Sequence, residues 1–136
     1  MGTRLDTAER ALAVGVGMTA DDIAEIFTDD AVVWSPILYS TSLDELAEAF
    51  TDRDLAFANH VVSIRSIDQV GNRVYIEWQL EADHVDAYVL TDDAVIEATG
   101  NHVFVGVASV LEFRDDKVAA ARSYFDSMAF LEQILG

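Results

Sequence analysis

The hydrophobic period of this chain changes near residue 60, from the three-to-four spacing of helices to the alternation of strands. Ala8, Ala11, Leu12 and Val14 share one helical face, so Thr7 to Gly15 predicts a helix capped by Asp6 or Thr7 and stopped by Gly15 and Gly17. Thr19 opens a second, with Asp21 and Asp22 in its positive first turn and Ile23, Ile26 and Phe27 as the apolar stripe. Ala31 to Trp34 predicts a short strand that Pro36 closes. Ser42-Leu43-Asp44-Glu45 is a capping box for a third helix, which buries Leu43, Leu46, Ala47 and Phe50 and ends at Asp52 to Asp54.

From His60 onward the pattern is sheet. Val61 to Ile67 predicts one strand, Gly71-Asn72 a turn, and Val74 to Ala82 the next, with Val74, Ile76, Trp78 and Leu80 alternating against Tyr75, Glu77, Gln79 and Glu81. Asp83 to Gly100 reads either as a small hairpin turning at Thr91 to Asp93 or as a flap. The longest sheet signal is His102 to Phe125, two arms about Arg114-Asp115-Asp116, with Asp116 suited to the left-handed last place of a three-residue loop. Phe113 then stands opposite Lys117, which sets Arg122 opposite Ala108, Tyr124 opposite Gly106 and Asp126 opposite Phe104. Even-numbered residues of both arms, His102 included, share the face expected to line a pocket. Ser127 to Leu135 closes the chain as a helix.

Helices first and long antiparallel strands after them predict a single α+β domain over residues 1–136, its helices gathered on one face of a curved sheet. A bent sheet leaves a hollow that helices do not fill, a natural place for an apolar ligand. The odd-numbered stripe Val103, Val105, Val107, Leu111 and Phe113 is read as an outer apolar face that a second copy covers, giving a homodimer.

Charge narrows the partners. Twenty-five acids against eight bases give −17, a field that repels nucleic acid and anionic membranes and is also the surface habit of high-salt proteins. No cysteine is present, and the amino terminus has no basic segment followed by an apolar run, so a soluble cytoplasmic protein is expected. Phosphate-binding glycine loops and nucleophile elbows are absent, and no cofactor is expected.

Phe27 to Pro36, Ser42 to Phe50, Ile76 to Ala82, and above all Val110 to Asp126 followed by Phe130 to Leu135 resemble the SnoaL-like branch of the nuclear-transport-factor-2-like superfamily, which includes polyketide cyclases, limonene epoxide hydrolase and ketosteroid isomerase. The resemblance implies a cone-shaped α+β fold, dimeric through its sheet, and places Asp126 where the cyclases and the epoxide hydrolase keep a general acid or base. It departs from the hydrolase at Trp78-Gln79-Leu80, where an Arg-x-Asp pair is needed, and from ketosteroid isomerase at Ser35, where the base aspartate would stand.

The expected catalytic set is therefore Asp126, Tyr124 and His102, and the expected substrate contacts are Trp34, Tyr39, Trp78, Phe104 and Arg122. Desolvation in an apolar cone would raise the Asp126 pKa toward a range useful for proton transfer; the bland alternatives are a salt bridge to Arg122 or a cap for the closing helix. His102 either shares a proton with Asp126 or lies exposed, and Trp78 is either pocket wall or plain core. His60 and His84 read as surface or edge residues, and Asp83, His84 and Asp86 alternate across a strand, so no metal is expected. The function so implied is cofactor-free acid–base catalysis, as cyclase, isomerase, dehydratase or hydrolase, on a small apolar polyketide-, terpene- or steroid-like molecule. The alternative is a non-catalytic binding protein of the same fold.

Overall fold

The computed structural model describes residues 3–12, 20–91 and 93–136. In chain order these form α1 (Arg4–Leu12), α2 (Ala20–Ile26), β1 (Phe27–Ser35), β2 (Leu38–Ser40), α3 (Leu43–Ala56), β3 (Phe57–Val70), β4 (Arg73–His84), β5 (Tyr88–Thr91), β6 (Ala94–Ile96), β7 (His102–Arg114), β8 (Lys117–Tyr124) and α4 (Ser127–Leu135). The proposed caps at Thr19 and the stop at Gly15 and Gly17 lie outside the described residues. The capping box holds: the Glu45 N–H donates to Ser42 Oγ at 3.2 Å, although α3 runs on to Ala56.

Six strands make one curved sheet in the order β2-β1-β8-β7-β4-β3, antiparallel except where β1 runs parallel to β8. The segment after β4 is the small hairpin, β5 paired with β6. The sheet is α+β with its helices on one face. That face carries Val103, Val105, Val107, Leu111 and Phe113 of β7, together with Val74, Ile76, Trp78 and Ala82 of β4, all buried in one core with Ala8, Leu12, Ile23, Ile26, Leu46, Phe130 and Ile134 of the helices.

This reverses the predicted faces of the hairpin. The odd-numbered stripe expected to await a second copy is the inner face of the chain's own core, and the even-numbered residues point outward. The hairpin register also differs. Arg114 pairs with Lys117 across a two-residue turn whose Asp115, not Asp116, takes the left-handed conformation (φ 57°). A slip between Glu112 and Phe113 then brings Glu112 opposite Ala120, Val110 opposite Arg122 and Ala108 opposite Tyr124. A two-residue turn matches strand twist better than the three-residue loop, and the slip absorbs one extra residue on β8 as a bulge.

Because β8 ends opposite Ala108, β7 from His102 to Val107 has no strand on that side among the described residues. Helix α4 stands in. Gln133 Oε1 accepts the Phe104 N–H at 2.6 Å, and its Nε2 donates to the Phe104 carbonyl at 3.0 Å, satisfying both backbone groups of an open edge.

Candidate functional site

Seven of the eight predicted site residues do not meet inside the cone. Tyr124, Trp34, Arg122, Tyr39, Phe104 and His102 lie on the outer face, and Asp126 is beyond the strand altogether. Trp34 packs against Tyr124 with ring centroids 5.2 Å apart, and Tyr39 stands opposite Trp34 across β1 and β2, largely exposed. Arg122 donates to Glu112 at 2.8 Å, and Arg73 pairs with the same carboxylate at 2.9 Å. The Arg122 guanidinium, then that of Arg73, holds the Glu112 carboxyl below its usual range. Between these groups and β3, the missing and small side chains of Gly106 and Ala108 leave a shallow hollow of about 370 Å³ edged by Arg65, Glu77, Gln79 and Tyr124.

His102 does not approach Asp126. Its Nδ1 lies 2.7 Å from Asp83 Oδ1 and its Nε2 3.0 Å from Glu81 Oε1, because β4 and β7 pair Asp83 with His102. Two carboxylates facing two ring nitrogens favour the doubly protonated imidazole, and the hydrogen bond to Asp83, then that to Glu81, raises the His102 pKa above its ordinary value. Asp83 is lowered in turn, first by the Asn59 amide and then by His102. Both nitrogens being spoken for, this trio is an ion-pair cluster. Among the described residues no three such side chains converge as metal ligands would.

Asp126 caps α4. It is exposed, with extended backbone (φ −80°, ψ 97°), and its Oδ1 accepts the Ala129 N–H at 3.0 Å. Its carboxylate stands at the rim of a cleft of about 70 Å³ between β7 and α4, lined by Phe104, Val105, Gly106 and Phe130. That space suits a few waters, not a substrate.

The inner face holds polar groups that sequence reasoning missed. Trp78, the one predicted contact inside, donates its indole N–H to Ser109 Oγ at 2.9 Å, and Ser109 shares a hydrogen bond of 2.7 Å with Ser123 Oγ. These neutral groups form a polar strip across β4, β7 and β8 beneath the helices. His84, expected at the surface, is fully buried. Its ring lies 5.4 Å from that of Phe57, which packs in turn on Tyr88 and Phe130. The Thr99 N–H donates to His84 Nδ1, which puts the ring proton on Nε2, and Nε2 has no partner among the described residues. An orphaned buried donor costs about 1–3 kcal/mol. Parity could have found it: His84 continues the buried alternation of Val74, Ile76, Trp78 and Ala82.

The sequence pattern of the SnoaL-like polyketide cyclase family matches residues 9–134. No curated protein matches at a significant level. Among solved structures, IdmH of Streptomyces antibioticus, a proposed polyketide cyclase, superposes with a TM-score of 0.78 at 14% identity, covering 98% of this chain and 99% of that one. A protein of ketosteroid isomerase-like fold from Catenulispora acidiphila, in complex with trimethylamine, gives 0.76 at 16% identity over 97% and 94%. An LEH-like epoxide hydrolase from M. tuberculosis gives 0.71 at 18% over 97% and 89%. Similarity at this level of identity shows the fold.

Proposed function

Because the chain belongs to the SnoaL-like polyketide cyclase family, we propose that it holds a small, mostly apolar, oxygen-bearing molecule against the helix-covered face of its sheet and acts on it by acid–base chemistry without a cofactor. The observation that carries this reading is the strip Trp78–Ser109–Ser123, buried at Trp78 and Ser109 and half-buried at Ser123, neutral hydroxyl and indole groups beside an apolar core, which is the usual composition of a small-molecule site. Asp126, at the start of α4 beside Phe125 and Phe130, is the acid or base, worth about 10²- to 10⁴-fold in rate if it transfers a proton. Its capping role supplies a clean test. Asn caps a helix as well as Asp does but moves no proton, so Asp126→Asn should keep the melting temperature and lose turnover of a polyketide-like substrate. Full activity in that variant would remove Asp126 from the chemistry.

A second reading, binding without catalysis, is favoured by one fact: the Asp126 carboxylate is already engaged by Ala129. It expects a ligand to be retained and recovered unchanged by mass spectrometry.

The partner proposed is a second copy, docked through the outer face. Trp34, Tyr75, Phe104 and Tyr124 are each between 37 and 46% exposed there. Arg65, Arg73 and Arg122, three of only eight bases, share that face and offset part of the charge of Glu77 and Glu112 beside them, which eases the approach of two chains of −17.

A further inference from the structure

We infer that His84 is the residue that selects an oxygen-bearing ligand, by donating its Nε2–H to a carbonyl or ether oxygen beside the aromatic cluster of Phe57, Tyr88 and Phe130; the inference rests on the reading that the helix-covered face binds a small molecule. Three observations carry it. First, the ring cannot turn to satisfy itself. Thr99 holds its Nδ1 edge through both its N–H (3.3 Å) and its hydroxyl (2.9 Å), and the flanking backbone is fixed by the His84 N–H to the Asn101 carbonyl (2.9 Å) and the Gly100 N–H to the His84 carbonyl (2.8 Å). Flipping the ring would set a C–H against the Thr99 N–H. Second, the Thr99 hydroxyl accepts from the Asn101 N–H, which leaves its own proton free to point at Nδ1, so the whole turn agrees on the same tautomer. Third, the ring sits in an aromatic neighbourhood: it packs on Phe57 with centroids 5.4 Å apart, and Tyr88 and Phe130 pack on Phe57 at 5.5 and 5.8 Å, while Nε2 itself meets no partner among the described residues.

A donor fixed in direction, wholly buried, without a partner among the described residues and set beside packed aromatic rings, fits a neutral, planar molecule bearing one oxygen acceptor. It does not fit a cation, which Nε2–H would repel, and a hydrocarbon would leave it unpaired. Discrimination then follows from the donor, since a site built to hydrogen-bond an oxygen rejects the analogue that lacks it.

The test uses two probes of one shape, 1-tetralone and tetralin, titrated into the whole protein by calorimetry, with two variants whose folding is checked by thermal melting. His84→Asn keeps an acceptor near Nδ1 for Thr99 and deletes the distal donor. His84→Gln keeps a distal N–H and gives up the contact with Thr99. The wild type should bind the ketone roughly five- to tenfold more tightly than the hydrocarbon, the net worth of one hydrogen bond; His84→Asn should lose that preference and His84→Gln should keep it. Equal binding of the two probes by the wild type, or a preference that survives in His84→Asn, overturns the role of His84 and leaves the binding face standing. Failure of both probes to bind at millimolar concentration overturns both.

Discussion

The two faces of the one sheet differ in what their polar groups do. Outside, polarity is charged, paired and wet: Arg122 and Arg73 on Glu112, His102 between Asp83 and Glu81, beside half-exposed aromatic rings. Inside it is neutral and mostly satisfied by neighbours, with the His84 Nε2 as the exception among the described residues. Exposed ion pairs contribute little to stability but fix register and partner choice, whereas a neutral donor in an apolar interior is expensive unless something meets it. The inner face is thus the side on which a ligand would gain most per hydrogen bond, and the outer face the side on which a protein partner would find matched charges.

The sharpest way to break this contrast uses adjacent residues of β7. Val105→Glu sets a carboxylate into the core and should cost several kcal/mol, enough to abolish a cooperative melt followed by circular dichroism. Phe104→Glu, one residue away, should melt within about 0.5 kcal/mol of wild type as a monomer while weakening self-association in light scattering. A folded Val105→Glu protein would mean that the two faces have been exchanged. Next in size is Glu112→Gln, which leaves Arg73 and Arg122 facing a neutral amide and should cost about 1 kcal/mol in urea, less as salt is added.

The smallest effect is that of His102→Gln, and its signature is its pH range. A raised His102 pKa contributes stability fully below the unfolded value of 6.5 and loses it as pH rises through the folded one. The lowered Asp83 pKa contributes above 3.8 and is lost as pH falls through its folded value. The substitution should therefore lower the melting temperature most between pH 3.8 and 6.5 and least in mild alkali. A uniform shift across that range would show that His102 acts by packing and not by charge.

Local signals were legible and long-range ones were not. Ser42 and Glu45 announce their helix because the capping bonds close within three residues, and the alternation from Val74 to Leu80 names its own buried face. The hairpin carries apolar residues on both faces, Val105 and Phe113 on one, Phe104 and Val110 on the other, so its own pattern does not say which side is core. That choice is made by pairing with β4, where Trp78 meets Val107, a contact across 29 residues. The same pairing carried His102 to Asp83 and away from Asp126. At Asp126 the chain itself offered the capping reading, and helix α4 takes it.

Gln133 has a consequence for the life of the chain outside its own fold. A primary amide presents the same donor and acceptor as a peptide group, so at Phe104 the helix imitates one residue of a neighbouring strand. The bare half of β7 would otherwise be a template for a strand from another molecule, the route by which sheet proteins swap segments or grow into fibres. One side chain, anchored on a helix that is itself held by Phe130 and Ile134 in the core, closes that route at its centre. Protection from misassembly is thereby tied to the seating of the last helix, so fraying of its carboxyl-terminal turn at Gln133 would uncover an adhesive edge while the core contact of Phe130 still held the helix start.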